Sequence, residues 1–158
     1  IRLSLVGSEM CIRDRSYAQL MQYSLELDEK TVYELRADGL IISTSTGSTA
    51  YSLSAGGSII SPKLDVWSII PILSHNLSSR PFVISSEQPL TVNLINGPKN
   101  EASISADGQK DISVPFGKSI TINKKKDKLK LIHPKSYNFF EACREKLGWS
   151  IGTDKNKK

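Results

Sequence analysis

The chain has 158 residues, enough for one domain with a real core and too few for two large ones. Its hydrophobic share of 39% and charged share of 23% are those of a globular protein, and its sequence holds no run of eighteen apolar residues that could cross a membrane as a helix. The formal net charge of +5 comes largely from Lys124, Lys125 and Lys126 and from Lys155, Lys157 and Lys158. These read as a charged turn and a charged tail, not as a basic stripe interleaved with aromatics, which argues against a nucleic-acid partner.

Two cysteines, Cys11 and Cys143, make neither a disulfide framework nor a metal-ligand spacing, so a reducing cytoplasm is expected. Ser4 to Arg15 resembles a translated sequencing-library adaptor, in which ATG-TGT-ATA-AGA-GAC encodes Met10 to Asp14. On that reading residues 1–15 are foreign to the fold and coding sequence is missing ahead of them; a natural strand over Ile1 to Val6 is the alternative. Glu9, Arg13, Asp14 and Arg15 break any apolar stretch there, so the segment is not a signal peptide.

Along the rest of the chain, Tyr17 to Asp28 alternates loosely and Thr31 to Leu35 is β-branched and aromatic, which predicts a hairpin. Asp38-Gly39 signals a turn before a buried strand at Leu40-Ile41-Ile42. Ser43 to Ser54 is dominated by hydroxyls, and the glycine stop at Gly56-Gly57 predicts a loop entering a short helix, roughly Thr49 to Ala55. Seven short β-rich runs follow: Val66 to Leu73, Phe82 to Ser85, Leu90 to Ile95, Ala102 to Ala106, Asp111 to Pro115, Ser119 to Asn123 and Leu129 to Ile132. Their regular spacing and the turns at Asn96-Gly97-Pro98 and Asp107-Gly108 predict a mainly β domain, a sandwich of packed sheets. Ser136 is a candidate cap for a closing amphipathic helix bearing Phe139, Phe140, Cys143 and Leu147, stopped at Gly148 with Trp149 packing back. Residues 16–150 then form the domain, and Thr153 to Lys158 a disordered tail in residues 151–158.

The chemistry points to the stretch from Asp38 to Gly57, where a strand delivers the chain into a small-residue loop and a helix begins at once. Helix-start amides lack an internal partner and favour anionic or accepting ligands. Gly47 permits close approach, Ala50 keeps the floor low, and Tyr51 offers a flat face with a polar tip. The loop is neither a Walker phosphate loop, lacking Gly-Lys-Ser/Thr, nor a Gly-x-Ser-x-Gly elbow. A serine- and threonine-rich connection that merely caps a helix is an equal alternative on composition alone. His75, His133, Asp107 and Cys143 each read most simply as structural, and no catalytic triad, metal cluster or carboxylate pair can be assembled.

From Asp38 to Gly57 the sequence resembles the signature of the NAD kinase family: Asp-Gly, three apolar residues, Ser-Thr-Pro-Thr-Gly-Ser-Thr-Ala-Tyr-Ser, and Gly-Gly-Pro. Ser45 and Ser58 stand where the family has proline. His75 to Pro81 matches a second block, with Ser74 in place of its proline; Asp107 and Gln109 match a third. Leu131 to Lys135 and Lys146 to Ser150 are similar to the close of enterobacterial members. The resemblance runs from about Tyr17 to Ser150 and implies the C-terminal β domain of an enzyme whose N-terminal domain is α/β. It implies phosphoryl transfer from ATP or polyphosphate, with magnesium, to the 2′-hydroxyl of the adenosine ribose of NAD, giving NADP, by a dimer or tetramer. It further implies NAD contacts at Arg36, Asp38, Thr46, Thr49, Ala50, Tyr51, Ser52, Ser54 and Gln109, with no catalytic or metal-binding residue among them. The family's Gly-Gly-Asp-Gly motif and Asn-Glu pair are not found, and the pair would fall upstream of Tyr17. A related lipid or sugar kinase and a non-catalytic β-rich binding domain are the competing readings.

Overall fold

Alternation of apolar and polar residues is what most of these strands share, and in the computed structural model it sorts them into two facing sheets. Residues 2–5, 9–13, 20–109, 111–127 and 130–148 are described. The strands are β1 (Arg2–Leu5), β2 (Glu9–Arg13), β3 (Met21–Leu27), β4 (Lys30–Ala37), β5 (Gly39–Thr44), β6 (Val66–Ile72), β7 (Phe82–Ser85), β8 (Leu90–Asn96), β9 (Glu101–Ala106), β10 (Ile112–Pro115) and β11 (Ser119–Lys124). One sheet has the order β1-β11-β8-β3-β4 and the other β10-β9-β2-β5-β6-β7. Among the described residues all strand pairings are antiparallel except β1 with β11.

With side chains alternating at period two, each strand turns one face to the space between the sheets. Met21, Tyr23 and Leu25 of β3 and Leu90, Val92 and Leu94 of β8 meet Met10 and Ile12 of β2, Leu40 and Ile42 of β5, and Trp67 and Ile69 of β6 in one core. Residues 9–13 therefore sit inside the packed unit, whatever their origin. Tyr33 stands edge-on to both Tyr23 and Phe82, at 6.2 and 5.6 Å between ring centroids, and joins the two sheets. Lys124 at the end of β11 reaches across to Asp65 at 3.1 Å and Glu87 at 3.3 Å, and these carboxylates hold its pKa above the ordinary lysine value.

The chain changes sheets between β4 and β5 through the single residue Asp38, whose N–H donates to the Ile72 carbonyl at 3.0 Å. The next residue must be small. A Cβ on Gly39 would lie 2.8 Å from the Ile12 carbonyl oxygen, so the glycine is needed for close packing and not for an unusual dihedral. Asp107-Gly108 opens the β9–β10 connection with both residues left-handed, φ 51° and 67°, in a tight turn closed by Gln109 N–H on the Ala106 carbonyl.

Some expectations shift. The helix after the hydroxyl loop is one turn of 3-10 helix, Gly47–Thr49, followed by one turn of α-helix, α1 (Tyr51–Ser54), broken at Ala50 where φ and ψ are −98° and −134°. The closing helix α2 (Phe139–Leu147) is capped by Asn138, whose side chain accepts from the amides of Phe140 and Glu141. Ser136 cannot cap it, because the chain is still in a turn closed by Tyr137 N–H to the Pro134 carbonyl. Gly148 ends α2 in the left-handed conformation, while Cys143 is buried and Phe140 and Leu147 are exposed. Residues 130–132 are not a strand: Leu131 and Ile132 are 58% and 97% exposed, and apolar residues without a cross-strand partner gain nothing from extension. Tyr17, Leu129, Trp149, and the Thr153 to Lys158 tail lie outside the described residues.

Candidate functional site

At one end of the six-stranded sheet, β5 runs out at Thr44 into the hydroxyl-rich bend. Its hydroxyls divide into two sets. Ser43, Ser45, Ser48 and Ser52 are buried and build the bend from below. Ser48 Oγ donates to the Ser45 carbonyl at 2.7 Å and accepts from Ile60 N–H at 3.1 Å, and Thr44 Oγ1 accepts from Gly47 N–H at 3.2 Å. Thr46, Ala50, Tyr51 and Ser54 are exposed and Thr49 is half-buried. Gly57 closes the bend: its N–H donates to the Ser52 carbonyl, and a Cβ there would meet Ser52 at 2.7 Å.

The amides do not behave as the sequence suggested. The N–H groups of Gly47, Ser48, Ala50 and Leu53 have acceptors within the bend. Those of Tyr51 and Ser52, at the start of α1, are taken by the two oxygens of the Glu9 carboxylate at 3.1 and 2.9 Å. The dipole at the helix start does attract a negative group, but the protein supplies it. What the bend turns outward is side chains: the Thr46, Thr49 and Ser54 hydroxyls and the Tyr51 ring, which is 75% exposed.

The Asp107–Gln109 turn lies at the same sheet end, because β2 is flanked by β5 and β9 with Glu9 opposite Ser43 and Met10 opposite Ala106. Asp107 Oδ1 accepts from Glu9 N–H at 3.0 Å, and Asp107 N–H donates to the Glu9 carbonyl at 3.0 Å. Gln109 is exposed beside them, its backbone fixed by Ala106 and Ser105.

Arg36 and Asp38 are at the opposite end of β5, about 17 Å away at the usual rise per strand residue. Arg36 is exposed, makes a long 3.5 Å contact to Gln22 Oε1, and lines a separate cavity of about 200 Å³ with Leu20, Gln22, Asn96 and Gly97. The structure thus gathers Thr46, Thr49, Ala50, Tyr51, Ser54 and Gln109, leaves Arg36 and Asp38 apart, and buries Ser52, whose Oγ has no hydrogen-bond partner among the described residues.

Glu9 escaped the sequence reading because it falls in the adaptor-like stretch. The available signal was its place upstream of Tyr17, where the resemblance expects an Asn-Glu pair. Two residues on, burial pushes the Cys11 thiol up from its ordinary pKa despite Arg13, which leaves it a poor nucleophile. His75 is exposed, its backbone N–H on the Arg36 carbonyl, and His133 stacks on Tyr137 at 3.9 Å.

Two packed sheets with an exposed aromatic and hydroxyls gathered at one sheet end define a β domain whose most distinctive surface is this bend. Residues 8–134 match the ATP-NAD kinase C-terminal domain, and the chain belongs to that family. It is 41% identical over 149 residues to an NAD kinase of Photorhabdus laumondii, covering 94% of this chain and 51% of that protein. It is 46% identical over 134 residues to an NAD kinase of Marinobacter nauticus, covering 84% and 45%. The chain spans about half the length of the curated relatives it matches. Among solved structures, an NAD kinase from Archaeoglobus fulgidus in complex with ATP superposes with a TM-score of 0.67 at 35% identity, covering 77% of this chain and 46% of that one. A yeast NADH kinase complexed with NADH shares the fold, with a TM-score of 0.74 at 23% identity over 96% and 46%.

Proposed function

We propose that this chain is the dinucleotide-binding half of an NAD kinase, the whole enzyme moving a phosphoryl group from ATP to the 2′-hydroxyl of the adenosine ribose of NAD to give NADP. The observation that carries this reading is the outward set at one sheet end, Thr46, Thr49, Tyr51 and Ser54 with Gln109 beside them, on the residues that bear the family signature. The named relatives support it against a lipid or sugar kinase, since they are NAD kinases.

In this reading the hydroxyls and Gln109 exchange hydrogen bonds with ribose and base edges, and Tyr51 stacks on a ring of the dinucleotide. Ala50 leaves room for that ring. Ser52 acts through the floor of the bend, not by direct contact, because it is wholly buried. Arg36 and Asp38 serve a second patch, reached by a remote part of the ligand or by another subunit of a dimeric or tetrameric enzyme. Phosphoryl transfer depends mainly on positioning and on charge neutralisation, and this chain contributes the first. The described residues hold no group of three or more His, Cys, Asp or Glu that could bind a metal ion, and the magnesium that accompanies ATP in the family would be held largely by the phosphates themselves. The chain also lacks the Gly-Gly-Asp-Gly motif and its proposed base, so alone it should bind NAD without turning it over. A cytoplasmic setting fits a pool of NAD and ATP, and no described helix is long and apolar enough to span a membrane.

The test joins the chain to the N-terminal half of a relative and measures NADP formation. Activity should appear, and Tyr51→Ala should raise KM for NAD about tenfold, the loss of one base–aromatic stack, with little change in thermal stability. Kinetics unchanged by that substitution would overturn the site assignment.

A further inference from the structure

We infer that Glu9 is a positioning residue, the middle of a brace running from Asp107 to the bend, and that nucleotide recognition depends on it; this rests on the function proposed above. Helix α1 is a single turn of four residues, its N-cap is Ala50 with no side-chain cap, and its first turn holds no acidic residue. So short a helix does not persist without help. The missing cap arrives from 42 positions away in sequence, where Glu9 spends both carboxylate oxygens on the amides of Tyr51 and Ser52. The carboxylate is itself almost fully buried, with Glu9 8% exposed. A buried anion held by two N–H donors is a strong and directional contact, and its geometry is set by the strand that carries it.

That strand is pinned in turn. Asp107 accepts the Glu9 N–H and donates its own N–H to the Glu9 carbonyl, both at 3.0 Å. Asp107 can do this because it sits at φ 51° in the hairpin turn, which aims its short side chain back along β2. Two parts of the candidate site distant in sequence, the turn bearing Gln109 and the bend bearing Tyr51, are thus joined through one residue. The orientation of the exposed Tyr51 ring follows from its backbone amide, and that amide is held by Glu9. With both oxygens engaged by backbone amides, the part Glu9 plays is to orient the loop.

The experiment compares the full 158-residue chain with Glu9→Ala, Glu9→Gln and Asp107→Ala, reading amide hydrogen exchange residue by residue and NAD affinity by calorimetry. In Glu9→Ala the Tyr51 and Ser52 amides should exchange at least about tenfold faster, in line with loss of hydrogen bonds to a charged group, while the ladder amides of β5 keep their protection. Glu9→Gln retains one acceptor and should rescue part of the loss. Kd for NAD should rise in the same order, by about tenfold for Glu9→Ala. Adding Asp107→Ala to Glu9→Ala should change little further, as expected of residues acting in series. Unaltered exchange at Tyr51 and Ser52 in the folded variants overturns the brace, and lost protection with full NAD affinity overturns its role in recognition. A wild-type chain that takes up no NAD counts against the proposed function, and the exchange comparison then decides the brace by itself.

Discussion

The two ends of β5 solve different problems. At Thr44 the strand opens into a bend of eleven residues, 44–54, in which amide after amide finds an acceptor inside the protein, leaving side chains to face outward. At Gly39 the same strand is reached through one residue, and what matters is how closely two backbones can approach. The first end is ordered by hydrogen bonds and the second by packing. The contrast teaches that a loop rich in hydroxyls need not be loose: half of its hydroxyls are structural, and the surface proposed to meet the nucleotide is what remains.

Ways to test this contrast can be ranked by expected effect. Ile42 lies between the two ends and is wholly buried. Ile42→Ala should cost about 3 kcal/mol in stability, the usual range for emptying a buried branched side chain, and weaken both ends together in a denaturant titration. An effect confined to one end would show that the strand does not connect them.

Alkaline pH should strike the packed end next. Tyr23 donates to the Gly39 carbonyl at 3.5 Å, and burial pushes its pKa and that of Tyr33 well above the ordinary phenol value. A folded pKa raised above the unfolded one gives stability that is intact below the unfolded value of about 10 and is lost as pH climbs beyond it. Unfolding free energy should fall above pH 10 by up to about 1.4 kcal/mol per pH unit for each phenol. Tyr23→Phe should flatten that slope. Third, Gly39→Ala forces a Cβ against the Ile12 carbonyl and should cost about 2 kcal/mol, leaving the exchange rates of Tyr51 and Ser52 untouched. Should those rates rise as well, the two ends are not independent.

Much of the fold was legible because burial follows period two. Val66 to Ile72, Phe82 to Ser85 and Leu90 to Asn96 appear close to where the apolar runs put them, and Asp107-Gly108 makes the tight turn its dipeptide implies. The partition of strands between sheets was not legible, since alternation fixes which face is apolar and not which neighbour covers it. The same gap explains Leu131 and Ile132, apolar residues with the right composition and no edge to join. Asn138 outranked Ser136 as a cap because a preceding turn, invisible in propensities, delayed the helix. At the candidate site, composition and resemblance together singled out Thr46, Thr49, Ala50, Tyr51, Ser52 and Ser54, but not which of them face outward: Ser52 is buried. The occupation of the Tyr51 and Ser52 amides was not, because their partner stands 42 residues earlier for one and 43 for the other.

Asp38 has one more implication, for how the chain finds its register. Sliding β5 by one residue would turn Leu40 and Ile42 outward. With only Asp38 between the sheets, the same slip would pull β4 along and unseat Tyr33 from between Tyr23 and Phe82. A misaligned strand is therefore penalised twice, once in each layer, so this one-residue link between strands acts as a proofreading step in folding.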